Sequence, residues 1–339
     1  MHRLFSLILS FGFIFNLFSC KNPVAPDNSF TPGRRDYTWT IDTLNSPPNL
    51  FSLVNIWGSG PSDVWAVGPA DETLNSLWHY DGISWKPTTQ RLSSNLWSVF
   101  GFGQSNVWMC DGPGRDIFYF NGNIWVNQGN YSYPGYSMLY LNSIWGTSNS
   151  ELYCAGSAYD SQMGTQPVLM KYNNNAWNFI QLPKNDFNIV TLKKDQDNNI
   201  FFFTAIKFTT GYSDTNKIYT YDGTSLKEIF KGTNNPVDNA TADDIGGKVY
   251  LNIKNKIYKY IDNKLVLWKD FDGTSYGGRV FGRNENDFFG FGYDGLVHYN
   301  GTDLKTIFPT TMSLTNLLVL DKDIFLLCDN RIIVHGHLK

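Results

Sequence analysis

Tyrosine is the residue type most conspicuously placed for chemistry in this chain. The segment VNQGNYSYPGYSMLYLN, residues 126–142, holds four of them. Tyr131, Tyr133 and Tyr136 stand there, Tyr159 follows in GSAYDSQMGTQP, and Tyr212 lies in TAIKFTTGYSDTNK, with Arg115 and Asp160 in connections of the same kind. Phenol rings give broad amphipathic contact at low entropic cost, which suits recognition of a protein or a carbohydrate. The same rings could equally serve to pin long loops to a scaffold, and both readings stand. Catalysis on a polysaccharide would need two converging carboxylates, for which Asp71 or Glu72 with Asp160 are the candidates.

Other reactive types read as scaffold. Asp63 and Asp287 fall in short turns that aspartate stabilises, and His79 and His298 share one repeat position ahead of an aromatic residue. The HGH pair, His335 and His337, could face one way from a strand, but no third metal ligand is near in sequence. DFDGTSYGGR, residues 270–279, has oxygen ligands and glycines without the full calcium-loop pattern. Neither a G-x-S-x-G nucleophile motif nor a phosphate loop occurs. The expectation is therefore no catalytic residue, no metal and no cofactor.

Two recurring phrases define the elements that must position these residues. HYDGISW at 79 returns as YFNGNIW at 119, KYNNNAW at 171, TYDGTSL at 220, KYIDNKL at 259 and HYNGTDL at 298. It is preceded by NIWGSGPSDVWAVG at 55, SVFGFGQSNVWMCD at 98, SIWGTSNSELYCAG at 143 and RVFGRNENDFFGFG at 279, with weaker copies at 190, 240 and 317. Aligning the second aromatic gives Trp65, Trp108, Tyr153, Phe201, Tyr250, Phe289 and Phe325, with steps of about 36 to 49 residues. Each unit reads as four short strands joined by hairpins, and no 3.6-residue apolar period supports helices. Four strands at that repeat length predict an all-β, seven-bladed β-propeller spanning 37–339.

The fixed spacing should hold Tyr80 and Trp85 in register across a tight Asp-Gly turn, and likewise in the other five copies. The last unit ends before a fourth strand, while YTWTIDTL at 37 stands alone with Trp39 in the Trp85 position. Pairing that N-terminal strand with the C-terminal blade would close the ring. Second-to-third connections are long in the first four units and short in the last three, so a tyrosine ledge is expected on one side of one face. The units resemble repeats of kelch-like and related bacterial propellers, whose blades also set a Tyr shortly before a Trp across the last hairpin. YDGISW is similar to the Asp-box turn of sialidase-type propellers. These motifs are structural, and the arginine cluster of sialidases and the Tyr/Cys/His set of copper oxidases are missing, so the resemblance implies a scaffold.

At the N-terminus, Arg3 and the apolar run Leu4 to Phe18 form a secretory signal, residues 1–19, too short to span a membrane comfortably. Its end, Leu17-Phe18-Ser19-Cys20, resembles the lipobox of bacterial lipoproteins, which implies that Cys20 carries lipid and becomes the first mature residue. Residues 20–36 are rich in Pro, Asn and Gly and read as a tether. The formal net charge of -3, lower still without Arg3, argues against nucleic-acid binding. Aromatics at 16% against only 17% charged residues suit strands covered on both faces. Cys110, Cys154 and Cys328 sit in apolar strand-like runs and read as small buried hydrophobes. The expectation is a monomeric, noncatalytic binding module for an envelope protein or glycan, held on a membrane through lipid on Cys20; the alternative is a polysaccharide hydrolase or lyase of the envelope.

Overall fold

Hairpins come first, because their turn chemistry sets every register that follows. The computed structural model describes residues 32–45, 50–207, 215–232 and 240–339. At the first Asp-Gly turn, Gly82 has φ of 91°, and Asp81 Oδ1 accepts from the N–H groups of Ile83 and Ser84, both at 2.9 Å. Asn121, Asp222 and Asn300 repeat that capping. Where glycine is missing, two residues with positive φ make the turn instead, Asn174–Asn175 and Asp262–Asn263. Both solutions span the same number of residues. In consequence all six expected pairs lie directly opposite each other: Tyr80 and Trp85, Phe120 and Trp125, Tyr172 and Trp177, Tyr221 and Leu226, Tyr260 and Leu265, Tyr299 and Leu304.

Among the described residues the regular structure is 28 strands and a single 3-10 turn at Thr73–Asn75. Antiparallel four-strand meanders occupy residues 55–87, 96–130, 138–180 and 188–231. Two more, 240–270 and 276–309, join into an eight-stranded sheet through one parallel bridge between Ile245 and Gly282. The final sheet takes three strands from 314–338, and its fourth is Tyr37–Thr43, with Trp39 opposite Gly336.

Aromatic rings fill the space between successive sheets. Trp65 meets Phe120 at 5.1 Å and Trp125 at 5.3 Å, and Trp108 meets Tyr172 at 4.7 Å and Trp177 at 5.8 Å. From the last sheet Phe325 meets Tyr80 at 5.6 Å and Trp85 at 6.3 Å in the first meander. Burying such a ring contributes about 1.5–3 kcal/mol. In the fourth meander the ring directed to the next sheet is Phe202, 5.6 Å from Tyr260, rather than the aligned Phe201, which instead meets Tyr153 of the preceding sheet at 4.9 Å. Residues 201–203 are all Phe, so hydropathy does not distinguish a one-residue slip that exchanges the two faces of a strand.

Histidine, aspartate and a ring form a recurring brace at the start of the second strand. Asp63 bonds His79 Nε2 at 2.8 Å, Asp287 bonds His298 Nε2 at 2.7 Å, and Asp323 bonds His335 Nε2 at 2.7 Å and His337 Nδ1 at 2.9 Å. Each first-named imidazole stacks on the intervening ring, Trp65, Phe289 or Phe325. The HGH pair thus converges on a carboxylate of its own sheet.

Residues 32–36, which the sequence reading places in the tether, are described. Arg35 donates to Asp303 Oδ1 and O, both at 2.7 Å, to His298 O at 2.9 Å and to His298 Nδ1 at 3.2 Å. Because Arg35 Nε donates to Nδ1, the buried His298 is the neutral tautomer that donates from Nε2 to Asp287. Residues 1–31, with the expected signal and Cys20, and residues 46–49, 208–214 with Tyr212, and 233–239 lie outside the described residues.

Candidate functional site

The first strands begin, and the second strands end, at the same side of the sheets as the long connections. A groove of about 700 Å³ lies there, lined by Asn95, Trp97, Pro113, Tyr140, Asn142, Ser157, Tyr159, Thr165, Asn188, Val190 and Ile206. Its walls come from the second, third and fourth meanders; in the third, GSAYDSQMGTQP, expected from sequence to be a long connection, is mostly strand, and only residues 161–163 link Glu151–Asp160 to Gly164–Asn173. Trp97 is 40% exposed and Tyr159 41%, and the nearby chain also exposes Met138 and Met163. Two rings and two methionine side chains are thus open to water on one face. The floor is held by amides: Asn142 Nδ2 donates to Asn188 Oδ1 at 2.9 Å and to Ile189 O at 2.8 Å, and Ser157 Oγ donates to Asn188 Oδ1 at 2.7 Å. None of the described lining residues is charged.

Beside it runs a central cavity of about 400 Å³. Every four-strand set sends its first strand into the lining, among them Ile56, Val99, Ile144, Leu192, Asp243, Val280 and Asn316. Among its carboxylates Asp243 is fully hydrogen-bonded, whereas Asp244 Oδ2 is buried without a hydrogen-bond partner among the described residues. Asp243 accepts from Arg279 Nε and the Val280 N–H, both at 3.0 Å, and from Asn252 Nδ2 and Thr241 Oγ1, both at 2.8 Å. The Arg279 guanidinium lies 4.7 Å from the centre of the Phe281 ring, and Tyr276 donates to the Arg279 carbonyl at 2.8 Å. Burial pushes the neighbouring Asp244 carboxyl above its ordinary range, with Lys193 opposing that shift.

Of the described candidates named from sequence, Tyr159 is the one that lines the groove. Tyr131, Tyr133 and Tyr136 pack against the core around Trp108 and Cys154. Tyr133 meets Tyr136 at 5.5 Å and Phe179 at 5.1 Å, while the Tyr131 hydroxyl donates to Gln128 O at 3.0 Å and burial raises its pKa. Arg115 has φ of 67° and its carbonyl accepts from the Tyr131 N–H at 3.0 Å, which makes it a turn residue. Asp160 accepts from the Gln162 N–H at 2.9 Å, and that bond holds its carboxyl below the ordinary range. Asp71 lines a separate recess with Leu50, Phe51 and Asp329, and Asp160 lines neither that recess nor the groove. In DFDGTSYGGR the carboxylates of Asp270 and Asp272 both hold Lys256 Nζ.

Sequence reasoning missed Trp97 and Tyr140. Both lie in the N-terminal part of a first strand, ahead of the recurring Phe100 and Trp145 positions, where the repeat carries no shared residue. Their signal was local: a large aromatic standing outside the repeat phrase.

No protein-family model matches the chain, and no curated protein does. Solved structures do match, and they are propeller-like all-β proteins. YCF48 bound to D1 peptide superposes with a TM-score of 0.61 at 14% identity, over 94% of this chain and 99% of that one. Virginiamycin B lyase from Staphylococcus aureus gives 0.60 at 12%, over 89% and 100%. The extracellular domain of BT4673 from B. thetaiotaomicron gives 0.59 at 11%, over 90% of this chain and 42% of that one. At such identities the likeness establishes the fold.

Proposed function

We propose that the protein is a noncatalytic binding module of the cell envelope, a closed ring of seven blades that takes a protein or glycan in the groove beside its central cavity. The observation that carries the reading is the groove itself, with Trp97 and Tyr159 half exposed over an ordered amide floor. Ring closure is supported by the first strands that line one cavity from every sheet, by Tyr37–Thr43 as fourth strand of the last sheet, and by Phe325 against Tyr80 and Trp85. The apolar run and LFSC end at residues 4–20 support export and a lipid on Cys20. No helix of the described residues is long and apolar enough to cross a membrane. Among structures of this fold, one is bound to a peptide and another is an extracellular domain, which agrees with a recognition role outside the cytoplasm.

The test is an array of envelope glycans and peptides probed with the full-length protein, with product analysis on every retained ligand. Retention without turnover is expected. Release of shortened products from any retained ligand would establish the hydrolase or lyase instead.

A further inference from the structure

We infer that the groove is built for a neutral oligosaccharide, stacked on Trp97 and hydrogen-bonded by Asn142 and Asn188; this rests on reading the groove as the binding site. Trp97 lies near the start of the strand Leu96–Gly103, and its indole rests on the backbone of Gly112. A Cβ at position 112 would come within 2.3 Å of Trp97 Cδ1 and 2.5 Å of Nε1, so no side chain fits between ring and backbone. Gly112 is itself tied down, its N–H donating to Asn95 O at 3.1 Å and its carbonyl accepting from the Leu141 N–H at 3.0 Å. The ring is therefore supported on one side while 40% of the residue remains open. A flat, fixed aromatic surface of this kind matches the C–H face of a pyranose, and its fixation lowers the ordering cost of binding.

The amides supply the second half of the chemistry. Asn142 uses its NH₂ group within the protein, and Asn188 uses its carbonyl oxygen. What remains is an acceptor, Asn142 Oδ1, and a donor, Asn188 Nδ2, neither with a partner among the described residues and each on a side chain fixed by the other. A sugar hydroxyl both donates and accepts, so one or two vicinal hydroxyls satisfy the pair. Charge decides the ligand class further. With no charged residue in the described lining, a uronate, phosphate or ammonium group would be desolvated there without a counter-charge, which is costly. The volume of about 700 Å³ falls in the range of small-molecule sites and has room for more than one sugar ring.

The experiment is calorimetric and tryptophan-fluorescence titration of the full-length protein. The probes are neutral hexasaccharides of glucose, xylose and mannose, oligogalacturonate, and a set of uncharged decapeptides. Saturable binding of at least one neutral hexasaccharide is expected, weakened about tenfold or more in Trp97→Ala and in Gly112→Ala, and weakened in Asn188→Asp. Circular dichroism checks that each variant folds, with Tyr159→Ala replacing any that does not. Neutral glycan binding that survives Trp97→Ala, or tighter binding of oligogalacturonate, would overturn the inference. Peptide binding lost in Trp97→Ala, with no glycan bound, would overturn the glycan assignment but leave the groove as a binding site. Absence of binding by every probe would count against both.

Discussion

Replacing Arg35 by alanine should destabilise the protein far more than its position before the first strand would indicate. The guanidinium makes four hydrogen bonds to the meander 276–309, one of them an ion pair with Asp303 at 2.7 Å. Two of its acceptors belong to His298, which has no solvent exposure, so truncation leaves His298 Nδ1 and carbonyl oxygen without their donor. Hydrogen bonds to charged groups contribute about 1.5–3 kcal/mol each when isolated, and losing one partner of a buried polar pair costs about 1–3 kcal/mol. The Arg35 side chain is 19% exposed and that of Asp303 43%, so the outer ion pair is discounted for screening. The total expected for Arg35→Ala is about 2–4 kcal/mol. Arg35→Lys should recover little of it, because a lysine ammonium cannot reproduce the planar fork that reaches Asp303 and His298 together. Urea unfolding followed by tryptophan fluorescence reads this as a lower midpoint at unchanged m-value. A loss under about 0.5 kcal/mol, or full rescue by lysine, would refute the reasoning and return residues 32–36 to the tether.

Further outcomes follow from the same contacts. Burial lowers the His298 pKa, with Asp287 opposing, so its contribution is fully present above the unfolded value of about 6.5 and is lost as pH falls through the lowered folded value. Unfolding free energy should drop between pH 7 and 5, and His298→Asn should flatten that slope; the Asp287 contribution, its carboxyl lowered by His298 and Arg283 against the cost of burial, is lost only in the carboxylate range. Cys110, Cys154 and Cys328 are free and buried, and burial pushes the Cys328 thiol up to about 12, so a thiol reagent should modify none of them until denaturant is added. Cys20→Ser should abolish incorporation of labelled fatty acid and release the protein from membranes, as measured by fractionation.

Much of the scaffold was legible because turn chemistry is local. Asp81-Gly82 and its copies specify tight hairpins by side-chain capping and positive φ, so the pairing of Tyr80 with Trp85 could be read from spacing alone. The pairing of Tyr37–Thr43 with the last strand was legible in the same way, from a strand phrase lacking its partners. The Asp–ring–His brace was only half readable: the shared position of His79 and His298 was visible, but its partners are the turn aspartates of an adjacent strand. The site was harder still. Whether a tyrosine is a pin or a contact surface depends on what packs against it, and Tyr131, Tyr133 and Tyr136 meet a core assembled from residues distant in sequence. Trp97 looked like one more apolar strand residue, and its exposure follows from the backbone of Gly112, which no periodicity encodes.

The most direct measurement is the crystal structure of the protein with whichever ligand the array retains. Density is predicted across Trp97 and Tyr159, within contact of Asn142 and Asn188 and beside the central cavity. Ligand bound instead at the hairpin side of the sheets, near Asp81 to Ser84, with the groove empty, would contradict the account.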